Sequence, residues 1–143
     1  MQVKEIMTTN FEMINSTEPI TEAAKKMKSL NIGVLPVKED NKIVGMITDR
    51  DMVVRALAEN KEAESITVKD VMSPEIAHCS SEDNIEDAAN IMKEKKMRRL
   101  IVIDSENAPI GIVSLGDIAA KADSEQLVGQ TLEAISQPCS PSR

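Results

Sequence analysis

The chain has 143 residues, a formal net charge of -7, 41% hydrophobic residues and 1% aromatic ones. That length fits one ordinary domain, or two small subdomains sharing a core. The acidic balance disfavours phosphate-backbone binding, and a single Phe with no Trp or Tyr leaves almost nothing to stack on bases, so a nucleic-acid partner is not expected.

No uninterrupted apolar run reaches membrane-spanning length, and the opening MQVKEIMTTN lacks the apolar stretch of a signal peptide. A cytoplasmic protein with no membrane contact is the expectation. Cys79 and Cys139 stand 60 residues apart and outside any CxxC spacing, so neither a disulfide framework nor a metal pattern is read from them.

Taken in chain order, the elements start with a short turn or helical start, VKEIMT, that ends on Met7-Thr8. A connecting stretch holding Met13-Ile14 comes next. Ile20, Ala23, Ala24, Met27 and Leu30 then recur at three- and four-residue steps, which predicts an amphipathic helix. Thr17 or Glu18 ahead of Pro19 supplies its capping chemistry. Two strands are expected after it, Gly33 to Val37 and Ile43 to Ile47, joined by the turn residues EDNK. A second helix runs from about Asp49 into Val53–Leu57.

The same series then repeats. VKDVMS stands 65 residues after VKEIMT, and IEDAANIM (Ile85 to Met92) after ITEAAKKM (Ile20 to Met27) by the same offset. MRRLIV answers IGVLPV likewise; one residue is gained near Ala108-Pro109, and GIVSLGDI then answers GMITDRDM. Ser81 or Asp83 is expected to cap the second copy's first helix. Its strands are expected at Arg99 to Ile103 and Ile110 to Val113, and its last helix at Leu115 to Ala122. The fold class is therefore α/β (α+β), two units of β-α-β-β-α type sharing one core, since either copy alone buries little surface. The expected boundaries are 1–62 and 66–124 for the copies, with a linker at 63–65. Leu127, Val128, Leu132 and Ile135 predict a further helix over 125–136, and QPCSPSR at 137–143 is expected to be disordered.

The block most able to carry chemistry is Gly-h-h-(Thr/Ser)-x-x-Asp, with h apolar: Gly45 to Asp51 and Gly111 to Asp117. Three residues are nearly one helical turn, so hydroxyl and carboxylate share a face. A carboxylate can take both hydroxyls of a ribose, and a hydroxyl can hold a phosphate. The same spacing also reads as plain capping, with Thr48 or Ser114 as N-cap and Asp51 or Asp117 three residues on. Arg98-Arg99 opens a strand where the first copy has Gly33-Val34; guanidinium forks suit phosphate, and equally suit surface salt bridges in a chain with 24 acidic residues. Arg50 and Arg55 are weaker candidates. His78, the only histidine, reads as an exposed loop residue or a cleft lining. No nucleophile-base-orienter set, P-loop or dinucleotide fingerprint is visible, so an enzyme is not expected.

These blocks, VKEIMT, ITEAAKKM, IGVLPV and GMITDRD, then VKDVMS, IEDAANIM, MRRLIVID and GIVSLGD, resemble a tandem cystathionine-beta-synthase (CBS) domain pair, or Bateman module, over residues 3 to 123. The resemblance implies two units related by a pseudo-twofold axis and packed through their sheets. It implies a regulatory module for an adenosyl ligand (AMP, ADP, ATP or S-adenosylmethionine), with no required cofactor. On that pattern Asp117 and Asp51 take the ribose, Ser114 and Thr48 lie by the phosphate with Arg98 and Arg99, and Ile112 and Met46 touch the nucleoside. Ile32, Gly33 and Val34, with the loop from Thr8 through Glu12 to Ile14, would close the Asp117 cleft. Ala77, His78 and Met97 would close the Asp51 cleft. The Asp117 site is expected to be the tighter. The resemblance also implies a disc-shaped homodimer of four CBS units and a regulated protein acting in trans; the alternative is a structural module that binds no ligand.

Overall fold

The computed structural model describes residues 1–74, 76–122 and 125–137. A 3-10 turn, Val3–Glu5, leads to strand β1 (Ile14–Asn15), helix α1 (Ile20–Leu30) and strands β2 (Val34–Glu39) and β3 (Lys42–Thr48). Helix α2 (Asp49–Met52) runs into a π-helical turn at Val53–Leu57. The second copy supplies α3 (Val68–Val71), β4 (His78–Ser80), α4 (Ile85–Lys95), β5 (Arg99–Ile103), β6 (Pro109–Ser114) and α5 (Leu115–Lys121). Helix α6 (Glu125–Ile135) comes last, where the periodicity places it. Of the tail expected to be disordered, 138–143 lies outside the described residues.

The strands form two sheets of three, ordered β1-β2-β3 and β4-β5-β6. In each, the short first strand pairs parallel to the second and the second pairs antiparallel to the third. The two central strands bury three consecutive residues each, Leu35–Val37 and Leu100–Val102, as strands covered on both faces do. The mixed α/β class and the duplication are thus both present.

The compact units do not coincide with the sequence copies. One unit comprises Glu12–Ile76; the other joins Met1–Phe11 to the chain from Ala77 onward. We call them the Asp51 unit and the Asp117 unit. Each copy's opening block belongs to the compact unit built by the other copy's sheet. The cause is local pairing. Val3 and Lys4 donate their N–H groups to the carbonyls of Asp83 and Ser81, at 2.8 and 3.0 Å. Val68 and Lys69 donate in the same way to Glu18 and Ser16, at 2.8 and 2.9 Å. The apolar side chains go with the backbone. Val3 and Ile6 join the core of Ala88, Ala89, Leu100 and Val113. Val68 and Val71 join that of Ile14, Ala23, Leu35 and Ile47.

Helix starts differ from the expected caps. The residue that caps is the extended one immediately before the first helical residue. For α4 it is Asn84, whose N–H reaches the Asp87 carboxylate at 3.3 Å, rather than Ser81 or Asp83. For α1 it is Pro19, which offers no side-chain cap, and the Ile66 carbonyl takes the Ile20 N–H at 2.9 Å instead. One asymmetry separates the units. Helix α6 packs on α4 and α5, and Ala89 is fully buried, whereas its counterpart Ala24 is exposed.

The glycines of the repeated block lie under the opposite copy's opening segment. Ser73 pairs with Met46 through both backbone groups (2.9 and 2.8 Å), and Thr8 pairs with Ile112 likewise (2.8 and 3.0 Å). A Cβ on Gly45 would stand 2.5 Å from the Ser73 carbonyl oxygen, and one on Gly111 2.8 Å from the Met7 sulfur and 3.0 Å from the Thr8 carbonyl oxygen. Backbone cannot step aside as a methionine tip can. Gly45→Ala is therefore expected to destabilise by ~1–3 kcal/mol, and more than Gly111→Ala. Urea unfolding of the two variants measures this; equal or negligible losses would contradict the crossing geometry.

Candidate functional site at the strand-helix junctions

Each unit ends its third strand on a hydroxyl residue that starts a helix. Thr48 Oγ1 accepts the Asp51 N–H at 3.0 Å, and Asp51 Oδ2 accepts the Thr48 N–H at 2.9 Å. Ser114 and Asp117 repeat this at the same two distances. The capping reading is therefore correct as far as it goes. It consumes one carboxylate oxygen and one hydroxyl lone pair at each junction. The hydroxyl hydrogen and the second carboxylate oxygen are not used by the cap.

The Asp117 unit gathers much of the expected site around this junction. Arg99 stands opposite Ser114 in the β5–β6 register, and the Arg98 carbonyl accepts the Leu115 N–H at 2.9 Å. Thr8 lies beside Ile112 through their paired backbones. Both arginines are exposed, and among the described residues neither guanidinium has a hydrogen bond or ion pair. Asp117 Oδ1 likewise has no partner among the described residues. His78 is exposed on β4 opposite Ile101, Ala77 is buried in the core with its carbonyl accepting the Ile101 N–H, and Met97 is half-buried after α4.

The Asp51 unit has the same frame with different charges. Val34 stands opposite Thr48, and the Gly33 carbonyl accepts the Asp49 N–H at 3.0 Å, where Arg99 and Arg98 stand in the other unit. A Cβ on Gly33 would meet the Asp49 carboxylate at 2.9 Å, so an acidic group lies at the place of the missing arginine. Asp51 Oδ1 lies 3.9 Å from Arg55 Nε. Ile32 is exposed and Met46 half-buried. Glu12 pairs with Lys26 at 3.6 Å.

The exchanged openings sort the expected lining residues by unit. Thr8 joins the Asp117 unit, whereas Glu12, Ile32, Gly33 and Val34 share a unit with Asp51. Ala77, His78 and Met97 share one with Asp117. Ile14 is 1% exposed and packs in the core opposite Val37. Sequence reasoning also underrates two cations. The Arg55 guanidinium donates to the Met72 carbonyl at 3.1 Å, and Lys121 Nζ donates to the Ile6 carbonyl at 3.1 Å. Their matching positions in the two copies are the available signal.

Among the described residues no group of three or more His, Cys, Asp and Glu could hold a metal ion, and no helix is long and apolar enough to cross a membrane.

A duplicated α/β unit whose Thr/Ser-Asp junction is overlain by the opposite copy's opening segment defines a tandem domain pair. The model of the CBS domain matches residues 3–57 and again 68–123, and the chain belongs to the CBS-domain family. It is 37% identical over 134 residues, 94% of each chain, to the CBS domain-containing protein YhcV of Bacillus subtilis. Its structure resembles the CBS domain pair of protein MJ0100 in complex with 5'-methylthioadenosine and S-adenosyl-L-methionine, with a TM-score of 0.74 and 29% identity over 84% of this chain and 94% of that one. It also resembles CBSX2 in complex with AMP, with a TM-score of 0.70 and 28% identity over 85% and 95%.

Cys79, 3% exposed on β4, has its thiol pushed up to about 12, first by burial and then by the nearby Asp83 carboxylate. The ordinary value is 9.0, so the folded chain holds this proton where the unfolded chain releases it. The resulting stability is fully present below pH 9 and is lost as pH rises through about 12. At pH 8 a Cys139→Ser variant should therefore be alkylated at Cys79 only as fast as the protein opens. Labelling at the rate of a free exposed thiol would contradict this.

Proposed function

We propose that the chain is a regulatory module that binds an adenosyl ligand at the strand-helix junctions and acts on a separate protein in the cytoplasm. The observation that carries the reading is the Asp117 junction. A carboxylate already oriented by a cap keeps one oxygen unpartnered among the described residues, beside a hydroxyl and on a junction whose neighbouring strand opens with two exposed arginines. A carboxylate accepting from two adjacent hydroxyls recognises a ribose diol, and arginine forks prefer phosphate oxygens. The AMP complex of CBSX2 and the S-adenosylmethionine complex of MJ0100 support this ligand class. The two arginines favour a nucleotide such as AMP, ADP or ATP over the cationic sulfonium. Asp117, Ser114, Arg98, Arg99, Ile112 and Thr8 form the tighter site in this reading, and Asp51, Thr48 and Met46 anchor the weaker one. Glu12, Ile32, Gly33, Val34, Ala77, His78 and Met97 complete the nucleoside lining.

The exposed apolar residues Val53, Val54 and Leu57 on the π-helical turn favour self-association, and a homodimer is part of the proposal. A second reading has an observation of its own: both Thr/Ser-Asp pairs are complete capping boxes, which a purely structural module would also need.

Asp117→Asn separates the two readings, because an asparagine carbonyl still accepts the Ser114 N–H while the charge is lost. Calorimetric titration of ligand-stripped protein with AMP is expected to show binding that this variant weakens about tenfold, with a smaller effect from Asp51→Asn. The absence of heat with AMP, ADP, ATP and S-adenosylmethionine alike would leave the structural module standing instead.

A further inference from the structure

The two junctions share their caps and differ in what meets the second carboxylate oxygen. In the Asp51 unit that oxygen faces Arg55 at 3.9 Å, one helical turn further along. The Arg55 guanidinium also donates to the Met72 carbonyl at 3.1 Å and reaches the Val71 carbonyl at 3.5 Å, at the end of α3. The next residue, Ser73, is paired to Met46 through both backbone groups, and Met46 lies two residues before Thr48. One cation thus ties the carboxylate to the segment that crosses its own strand. Asp51 is largely covered, with 12% of its side chain exposed, so the pairing is less screened than a surface contact.

The Asp117 unit is the internal control. Lys121 occupies the place of Arg55 and donates to the Ile6 carbonyl at 3.1 Å, the same kind of contact on the corresponding opening segment. Among the described residues no ion pair joins it to Asp117. An ammonium gathers its three N–H groups at one point, whereas a guanidinium spreads its N–H groups along a fork and can reach two acceptors set apart from each other. The lysine therefore holds the opening segment alone, and the arginine holds the opening segment and the carboxylate.

We infer that Arg55 is a latch on the Asp51 site: its charge faces the outward oxygen of Asp51 at 3.9 Å, and a diol ligand must displace it, loosening its hold on the end of α3 at Met72. The inference rests on the adenosyl-ligand reading and adds regulation to it. The Asp117 site binds through an open carboxylate. The Asp51 site binds only against an internal competitor, and its occupancy is linked to the opening segment of the second copy.

The test is Arg55→Lys, which reproduces the Lys121 arrangement, read by methionine methyl NMR in an AMP titration. Met46 and Met72 report the Asp51 unit, and Met7 reports the Asp117 unit. The wild type should titrate Met7 first. In the variant the midpoint for Met46 and Met72 should fall on the order of threefold, the effect of a half-exposed ion pair, with Met7 unmoved. An unchanged or higher midpoint at Met46 and Met72 overturns the latch. A second measurement needs no ligand: Asp51→Asn keeps the cap but removes the charge facing Arg55, and should shift the Met72 methyl and amide signals, whereas Asp117→Asn should leave Met7 in place. A Met72 signal indifferent to Asp51→Asn also overturns the latch. If no methyl answers AMP, the ligand reading and the gating built on it both fall, and the Met72 response alone decides whether the ion pair holds α3.

Discussion

Everything in this protein depends on one crossing: a Met-Thr or Met-Ser segment laid over a glycine of a β-strand from the opposite copy. Thr8 pairs with Ile112 above Gly111, and Ser73 pairs with Met46 above Gly45. The contact exists because a three-stranded sheet leaves its outer strand with free backbone groups, and an unpaired edge is costly when covered. Met7 and Met72 drape over the glycines, and Val3, Ile6, Val68 and Val71 fill the cores below. Each fully buried side chain of this size is worth ~1.5–3 kcal/mol, a large share of the stability of so small a unit. Neither copy therefore completes its own core. The duplication is a requirement of folding before it is a device for binding.

The same crossing sets the site. It fixes the strand two residues before the hydroxyl, so Thr48 and Ser114 start their helices from a held position. The caps then orient the aspartates. Side chains beyond the caps are free to vary, and they do: Arg98 and Arg99 in one unit against Gly33, Val34 and Asp49 in the other, and Lys121 against Arg55. The scaffold is symmetric because packing requires it. The charges are not: Arg98 and Arg99 are exposed, and packing does not constrain them.

This division explains which features are legible in the sequence. The repeat, the helix periods and the Gly-h-h-(Thr/Ser)-x-x-Asp block are all legible, since each recurs at a fixed offset and rests on local geometry. Element order, both hairpins and α6 come with them. The exchange of opening blocks is not legible. Val3 and Val68 occupy equivalent positions in sequence, and only the pairing with Ser81, Asp83, Ser16 and Glu18 decides which sheet each one joins. A boundary drawn at 62–66 therefore separates Val68 and Val71 from the core they fill, and Val3 and Ile6 from theirs. Ile14 is hidden for a simpler reason. Its surroundings read as a loop, yet two residues form a strand there, opposite Val37 and Lys38. The latch at Arg55 is also out of reach of pattern reading, because its acceptor at Met72 lies 17 residues away in the chain.

Capping and ligand recognition are commonly set against each other as explanations of a hydroxyl-x-x-carboxylate pair, but a carboxylate has two oxygens and the cap uses one. The cap removes the rotational freedom that a lone aspartate would lose on binding. A diol meeting Asp117 thus finds an acceptor already held at 2.9 Å by the Ser114 N–H. Ordering a side chain at an interface costs about 0.5–1.5 kcal/mol, and here folding has already met that cost. The stabilising role is what makes the binding role inexpensive. Where a cation faces the outward oxygen, as Arg55 does at 3.9 Å, the same preorganised group already has a charge partner. The junction then differs from its twin by a single competitor rather than by a different fold.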